Sequence, residues 1–253
     1  MSRGKLIGFV LAVILIGIFS SCLKEINQVY NPGVAVGVVR QHGDSSRMMA
    51  NTRFGWIYAD DLSSFSEGKC LLLSFDYDPS LPENEKAEDK GYYTVTLRNK
   101  ESVPQQVASR TLKDTNSLLS NELPVLAFNP NDSALYIYLE GYLFLPSVCL
   151  KSSKQTVSWD LCYDPSQKPE VVDMKSIYDV YLRASANSSM EEGGKAEPQA
   201  VINAFDISGF ISDMRNNGTR ESDMYIRINY VEGINPNDSA QFSWAVTEPL
   251  FID

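Results

Sequence analysis

Four groups of residues in this chain could do chemistry: one histidine, four cysteines, a loop crowded with carboxylates, and a strand with three aromatic rings at alternate positions. The histidine, His42, sits in the loop Gln41-His42-Gly43-Asp44, where a solvated turn residue is the expected role. The sequence has no Gly-x-Ser-x-Gly nucleophile turn and no glycine-rich phosphate loop. Carboxylate pairs are plentiful, so composition alone leaves a glycosidase-like acid and base open. Without a defined nucleophile or base, a non-enzymatic protein that needs no cofactor is the expectation. The acidic stretch Asp76, Asp78, Glu83, Glu85, Glu88 and Asp89 offers the hard oxygens calcium takes, but it lacks the Asp-x-Asp-x-Asp-Gly order of a preformed cage. It reads as a solvated loop that discourages edge pairing, not as a metal site.

Cys22 differs from the other cysteines in what precedes it. Arg3 and Lys5 are followed by an apolar run from Leu6 to Phe19 and then by the small residues Ser20 and Ser21. Basic, apolar and small segments in that order make a secretory signal. A membrane-spanning helix needs roughly 20 apolar residues, and this run of about 14 is too short. Residues 1–21 are therefore expected to be removed. Phe19-Ser20-Ser21-Cys22 resembles the lipobox at which bacteria acylate a thiol before cleavage, with Phe19 where Leu is usual. Cys22 is the expected lipidation site, and two or more acyl chains would hold it durably on a membrane. The outer membrane is the expected location. Leu23-Lys24-Glu25 lacks an acidic run for surface display, so periplasmic and surface faces both stay open.

Losing Arg3 and Lys5 leaves 20 basic against 32 acidic residues, formally −12, where the whole chain carries −10. Such a surface repels phosphate backbones, and nucleic acid is not an expected partner. Hydrophobic residues make up 43% of the chain, enough to build cores. Cys70, Cys149 and Cys162 are odd in number and show neither Cys-x-x-Cys nor metal spacing. They are expected in the core, with at most one disulfide. In an oxidising compartment Cys149 with Cys162 is the favoured pair, since only a short polar turn separates their segments.

Along the body of the chain, apolar residues recur with period two, as half-buried strands require. Leu71, Leu73, Phe75 and Tyr77 share one face; Tyr93, Val95 and Leu97 share another; so do Trp159, Leu161 and Tyr163, then Met224, Ile226, Ile228 and Tyr230, and then Phe242, Trp244 and Val246. No amphipathic helix longer than about two turns stands out. The chain is expected to be all-β. Tyr-Asp-Pro-Ser at 77–80 and 163–166, and Asn-Pro-Asn-Asp-Ser-Ala at 129–134 and 235–240, read as reused turns. Asp-Ser-Ala also resembles an O-glycosylation signal, which would fall at Ser133 and Ser239.

Strand patterning lapses between Val103 and Asn121, in a polar stretch through Ser109, Asp114, Thr115, Asn116 and Ser117. This predicts a signal peptide over 1–21, a lipidated tether over 22–33, a barrel domain over 34–115 and a β-sandwich domain over 120–253. A second loose stretch, 186–198, is expected to be an exposed insertion.

A lipobox, the barrel-like strands Phe54 to Asp61, Gly68 to Tyr77 and Tyr92 to Leu97, and a following sandwich together resemble the NigD-like lipoproteins of gut anaerobes. The resemblance implies an N-terminal OB-like barrel and a C-terminal immunoglobulin-like sandwich. It implies no established activity and carries no catalytic residues over.

Phe54, Trp56 and Tyr58 alternate along one strand of the expected barrel, where OB-like folds present a ligand face. A core-facing row would show the same spacing. If exposed, the rings would suit a sugar ring or a partner's apolar patch. A non-catalytic envelope lipoprotein that binds a protein or glycan partner is the leading expectation. The alternative is a structural subunit of a lipoprotein-derived pilus or adhesin that assembles by strand exchange. Replacing Cys22→Ser is expected to abolish acylation, so the variant should leave the detergent phase in a Triton X-114 partition while the parent stays in it. Equal partitioning of the two would rule the anchor out.

Overall fold

The period-two runs become strands of a small barrel and of two further sheets. The computed structural model describes residues 29–43, 46–128, 137–188, 195–218, 224–235, 238 and 241–252. Cys22, Ser133 and Ser239 lie outside the described residues. Five strands close the barrel: β1 (Val34–Gln41), β2 (Met48–Thr52), β3 (Gly55–Tyr58), β4 (Cys70–Tyr77) and β5 (Tyr93–Ser102). Their spatial order is β1-β2-β3-β5-β4, with β3 parallel to β5 and the other neighbours antiparallel. Ala35, Val39, Ala50, Ile57, Leu71, Leu73, Phe75 and Val95 fill the interior, and Leu62, in a 3-10 turn over Asp60–Ser64, packs into it after β3. At Gly37 a Cβ would come 3.0 Å from Leu73 Cδ1 and 3.2 Å from the Asn51 carbonyl, so β1 can approach β2 and β4 this closely only with glycine there.

A short helix α1 (Ala87–Lys90) precedes β5. Beyond the barrel, β6 (Gln105–Val107), β7 (Val125–Phe128), β8 (Ile137–Leu139), β9 (Tyr142–Lys151) and β13 (Glu197–Asp206) form one sheet. The other contains β10 (Val157–Cys162), β11 (Glu170–Val172), β12 (Lys175–Ala186), β14 (Met224–Ile234), β15 (Phe242–Val246) and β16 (Leu250–Phe251). The expected barrel and sandwich are both present. Two parallel pairs, β6 with β13 and β12 with β14, depart from the antiparallel sheets of an immunoglobulin domain.

A helix α2 (Ser208–Asn216), not expected from the sequence, closes one end of the sandwich by burying Phe210, Ile211 and Met214. Its nine residues hold too few apolar positions to stand out against the strand pattern.

The sheet of β9 and β13 is covered on both sides. Leu143, Leu145, Cys149 and Phe205 face Tyr178, Val180, Leu182, Met224, Ile226 and Ile228 of the second sheet. Phe144 and Ala204, on the opposite side, pack with Val36, Val38, Cys70 and Val103 on the barrel's exterior. Polar contacts reinforce this seam: Gln105 accepts from the Cys70 amide at 3.1 Å and donates to the Gly68 carbonyl at 2.9 Å, and Asn51 Nδ2 donates to Glu140 Oε1 at 2.6 Å.

The polar stretch between Val103 and Asn121, where the sequence places the boundary between barrel and sandwich, is hydrogen-bonded to sandwich strands. The Ser109 amide donates to the Leu161 carbonyl at 2.7 Å, the Tyr163 amide donates to the Ser109 carbonyl at 3.0 Å, and the Leu123 amide donates to the Ala184 carbonyl at 2.8 Å. Between these ties the chain crosses the outer face of the second sheet. There Arg183, with its side chain fully buried, is paired with an equally buried Glu122. The guanidinium also donates to the carbonyls of Asp114 at 3.1 Å and Ser117 at 2.9 Å, and lies 5.2 Å from the ring of Trp244. Trp244 Nε1 in turn donates to the Thr115 carbonyl at 3.1 Å. A polar, patternless segment therefore keeps one conformation because a buried cation consumes its carbonyls.

Removing either member of this pair strands a buried charge, which costs about 3–5 kcal/mol. Glu122→Gln and Arg183→Met are each expected to lower stability by that order in urea unfolding and to speed tryptic cleavage after Arg110 or Lys113. Unchanged stability and cleavage rate in both variants would show that the strap is held elsewhere.

Candidate binding face on the barrel

Strand β3 divides its side chains between the inside and the outside of the barrel. Ile57 points into the core at 1% exposure, so Trp56 and Tyr58 face outward, both partly exposed. Phe54 precedes the strand and does not join them. It sits in the β2–β3 turn, packs against the interior cluster and meets Phe75 edge-on with centroids 6.3 Å apart. The expected row of three rings thus resolves into two outward rings and one inward ring, because the turn breaks the alternation before Gly55.

Two loops bring further groups to Trp56 and Tyr58. His42, from the loop after β1, stacks on Trp56 with centroids 4.3 Å apart and planes 24° from parallel. Gly91, with φ at +74°, lets the loop before β5 turn beside it; a Cβ there would lie 3.2 Å from His42 Nε2. That turn delivers Tyr92, whose ring meets Tyr58 edge-on at 6.2 Å. The Arg47 guanidinium lies 5.1 Å from the Tyr58 centroid. The Tyr58 hydroxyl donates to Asp60 Oδ1 at 2.5 Å; that bond to a carboxylate, with some desolvation, raises the Tyr58 pKa. Sequence reasoning missed Tyr92 and Arg47, which reach the face from neighbouring segments. The signal for Tyr92 was present, since in Tyr92-Tyr93 one ring must point out when the other points in.

The combination of partly exposed rings, a guanidinium, an imidazole and a carboxylate can stack on an apolar ring face and hydrogen-bond its edge. Among the described residues it contains no nucleophile poised beside a base. In the acidic loop, Arg98 pairs with Asp76 and, with Asn31, holds its carboxyl below the usual carboxylate range. Asp78 is turned onto the hydroxyl and amide of Ser80. Among the described residues no three His, Cys, Asp or Glu side chains gather as a metal site would need.

The favoured disulfide is not formed. Cys70, Cys149 and Cys162 are all free and buried. Cys149 faces the core between the two sheets, whereas Leu161 and Tyr163 face that core and leave Cys162 on the opposite side of β10. Strand alternation, invisible in the length of the intervening turn, separates them. Burial pushes the Cys70 thiol up to about 12 and raises the other two.

Residues 27–101 match the family model described as the lipoprotein OB domain. The strand and loops that carry the aromatic face lie within the matched residues. Solved structures share the fold over most of the chain. An uncharacterized protein from Parabacteroides merdae is 17% identical, covers 85% of this chain and 96% of its own, and superposes with a TM-score of 0.67. A candidate lipoprotein from Bacteroides fragilis is 13% identical, with 87% and 96% covered and a TM-score of 0.58. A NigD-like immunity protein from Bacteroides caccae is 13% identical, with 85% and 93% covered and a TM-score of 0.46. No curated protein matches the chain.

Thiol chemistry checks the cysteine assignment. In the native protein at about pH 8 the raised pKa values leave almost no thiolate, so Cys70, Cys149 and Cys162 are expected to resist Ellman's reagent and to react fully once unfolded in urea without reductant. Only one reactive thiol after unfolding would reveal a disulfide.

Proposed function

We propose that this protein is a non-catalytic lipoprotein of the bacterial envelope that captures a glycan or protein partner on the outer face of its OB domain. The observation that carries the reading is the outward pair Trp56 and Tyr58, partly exposed although large, with Tyr92, His42 and Arg47 converging on it from two loops. Partly exposed rings of this kind serve as anchors in binding sites. The match of this unit to the lipoprotein OB domain and the signal-like segment ending at Cys22 support an envelope address. The net charge of −10 disfavours nucleic acid on the same face.

A second reading, assembly by strand exchange, is favoured by one observation. The edge strand β11 ends in a turn with positive φ at Asp173 and Met174, and it displays Val171 at 68% and Met174 at 89% exposure. Heat-sensitive ladders on a denaturing gel would support that reading, and a single band without heating would count against it.

The leading reading is tested by screening envelope polysaccharides and envelope protein extracts against the purified protein. Trp56→Ala is expected to weaken the partner so found by about tenfold or more, and Tyr58→Ala by a smaller factor, with the urea midpoint little changed. Full affinity in both variants would remove this face from consideration.

A further inference from the structure

The barrel's own mouth is a second candidate site, on the opposite side of β3 from the aromatic face. A cavity of about 380 Å³ opens there, within the size range of small-ligand pockets. Its floor is the barrel core at Ile57, Phe75 and Val95, all at least nine-tenths buried. Phe54, Tyr77 and Tyr93 line its walls, with Tyr77 and Tyr93 meeting edge-on at 5.2 Å. Tyr30, from the segment before β1, completes the rim. Its amide and carbonyl bond the carbonyl and amide of Tyr77, each at 2.8 Å, while its side chain stays 57% exposed.

Among the described residues, Glu88 is the one charged side chain lining the cavity. Burial raises the Tyr77 pKa, and the nearby Tyr93, Glu88 and Asp78 raise it further, so the field at this rim is negative. Aromatic faces carry a negative quadrupole and attract cations, most strongly where water is excluded. This barrel already shows the attraction outside the cavity, where the Arg53 guanidinium lies 4.7 Å from the Phe54 centroid. An apolar floor, aromatic walls and a single carboxylate together match one ligand chemistry.

We infer that the barrel mouth binds a small organic ammonium group, held between the rings of Tyr30, Phe54, Tyr77 and Tyr93 and paired with the Glu88 carboxylate. The inference does not rest on the proposed glycan or protein partner, which would occupy the outer surface. A trimethylammonium group could arrive on a free small molecule or on a lipid headgroup. The shared chemistry is the same, and both sources are compatible with a pocket whose rim belongs to the expected membrane tether.

The test compares choline chloride with its neutral isostere 3,3-dimethyl-1-butanol, following tyrosine fluorescence of the purified protein. Choline is expected to saturate the signal, and the neutral alcohol to bind about tenfold more weakly. Glu88→Gln and Tyr30→Ala change exposed side chains outside the barrel core, so the fold should survive. Each is expected to weaken choline about three- to tenfold. Phosphatidylcholine bicelles that compete with choline would assign the headgroup as source, and bicelles that do not compete would assign a free ligand. The inference is overturned if choline fails to saturate, if the alcohol binds as tightly, or if both variants bind choline as the parent does.

Discussion

The two-sided burial of the sheet built on β9 and β13 is the constraint from which the rest of the arrangement follows. A strand covered on one face alternates apolar with polar residues; one covered on both faces cannot. Leu143-Phe144-Leu145 is such a run, with Leu143 and Leu145 turned to the second sheet and Phe144 to the barrel. Ala204 and Phe205 do the same on β13. Barrel and sandwich are consequently joined through a buried apolar seam, and β6 continues from the barrel straight into the sandwich sheet beside β13. The barrel's β1 side is occupied by this seam, and the β3 side and the mouth crossed by Tyr30 lie away from it.

The strap over the second sheet obeys a different rule. Its residues are too polar to be held by apolar burial, and backbone carbonyls brought under cover require donors. Arg183 supplies them from the middle of β12, with Glu122 balancing the charge. Arginine suits the role because its planar, always-charged fork bonds several acceptors at once. The arrangement seals the outer face of β12 beside Trp244 and also accounts for the buried, isolated position of Cys162.

Within the barrel, alternation along β3 separates the two proposed sites by the thickness of one strand. Ile57 belongs to the interior and the floor of the mouth, while Trp56 and Tyr58 belong to the surface. The same strand can therefore serve a stacked ring face outside and a cation-attracting cage at the open end. The two sites draw on different loops, since the outer face uses His42 and Tyr92 and the mouth uses Tyr30 and Glu88.

The period-two faces of β4, β5, β10 and β14 were legible in the sequence, because a half-buried strand writes its orientation into residue type. So were the positions of Trp56 and Tyr58 on one strand face. Tertiary structure alone decided that Phe54 leaves that row at the turn, that Tyr92, Arg47 and His42 converge on it, and that Cys149 and Cys162 lie on opposite sides of a sheet. It also decided that the polar stretch around Asp114 to Ser117 is latched rather than loose, since the group responsible, Arg183, lies far along the chain. Local patterning reports which side of a strand meets apolar surroundings. It carries no record of which distant segment supplies them, and every feature missed here depends on contacts between residues remote in sequence.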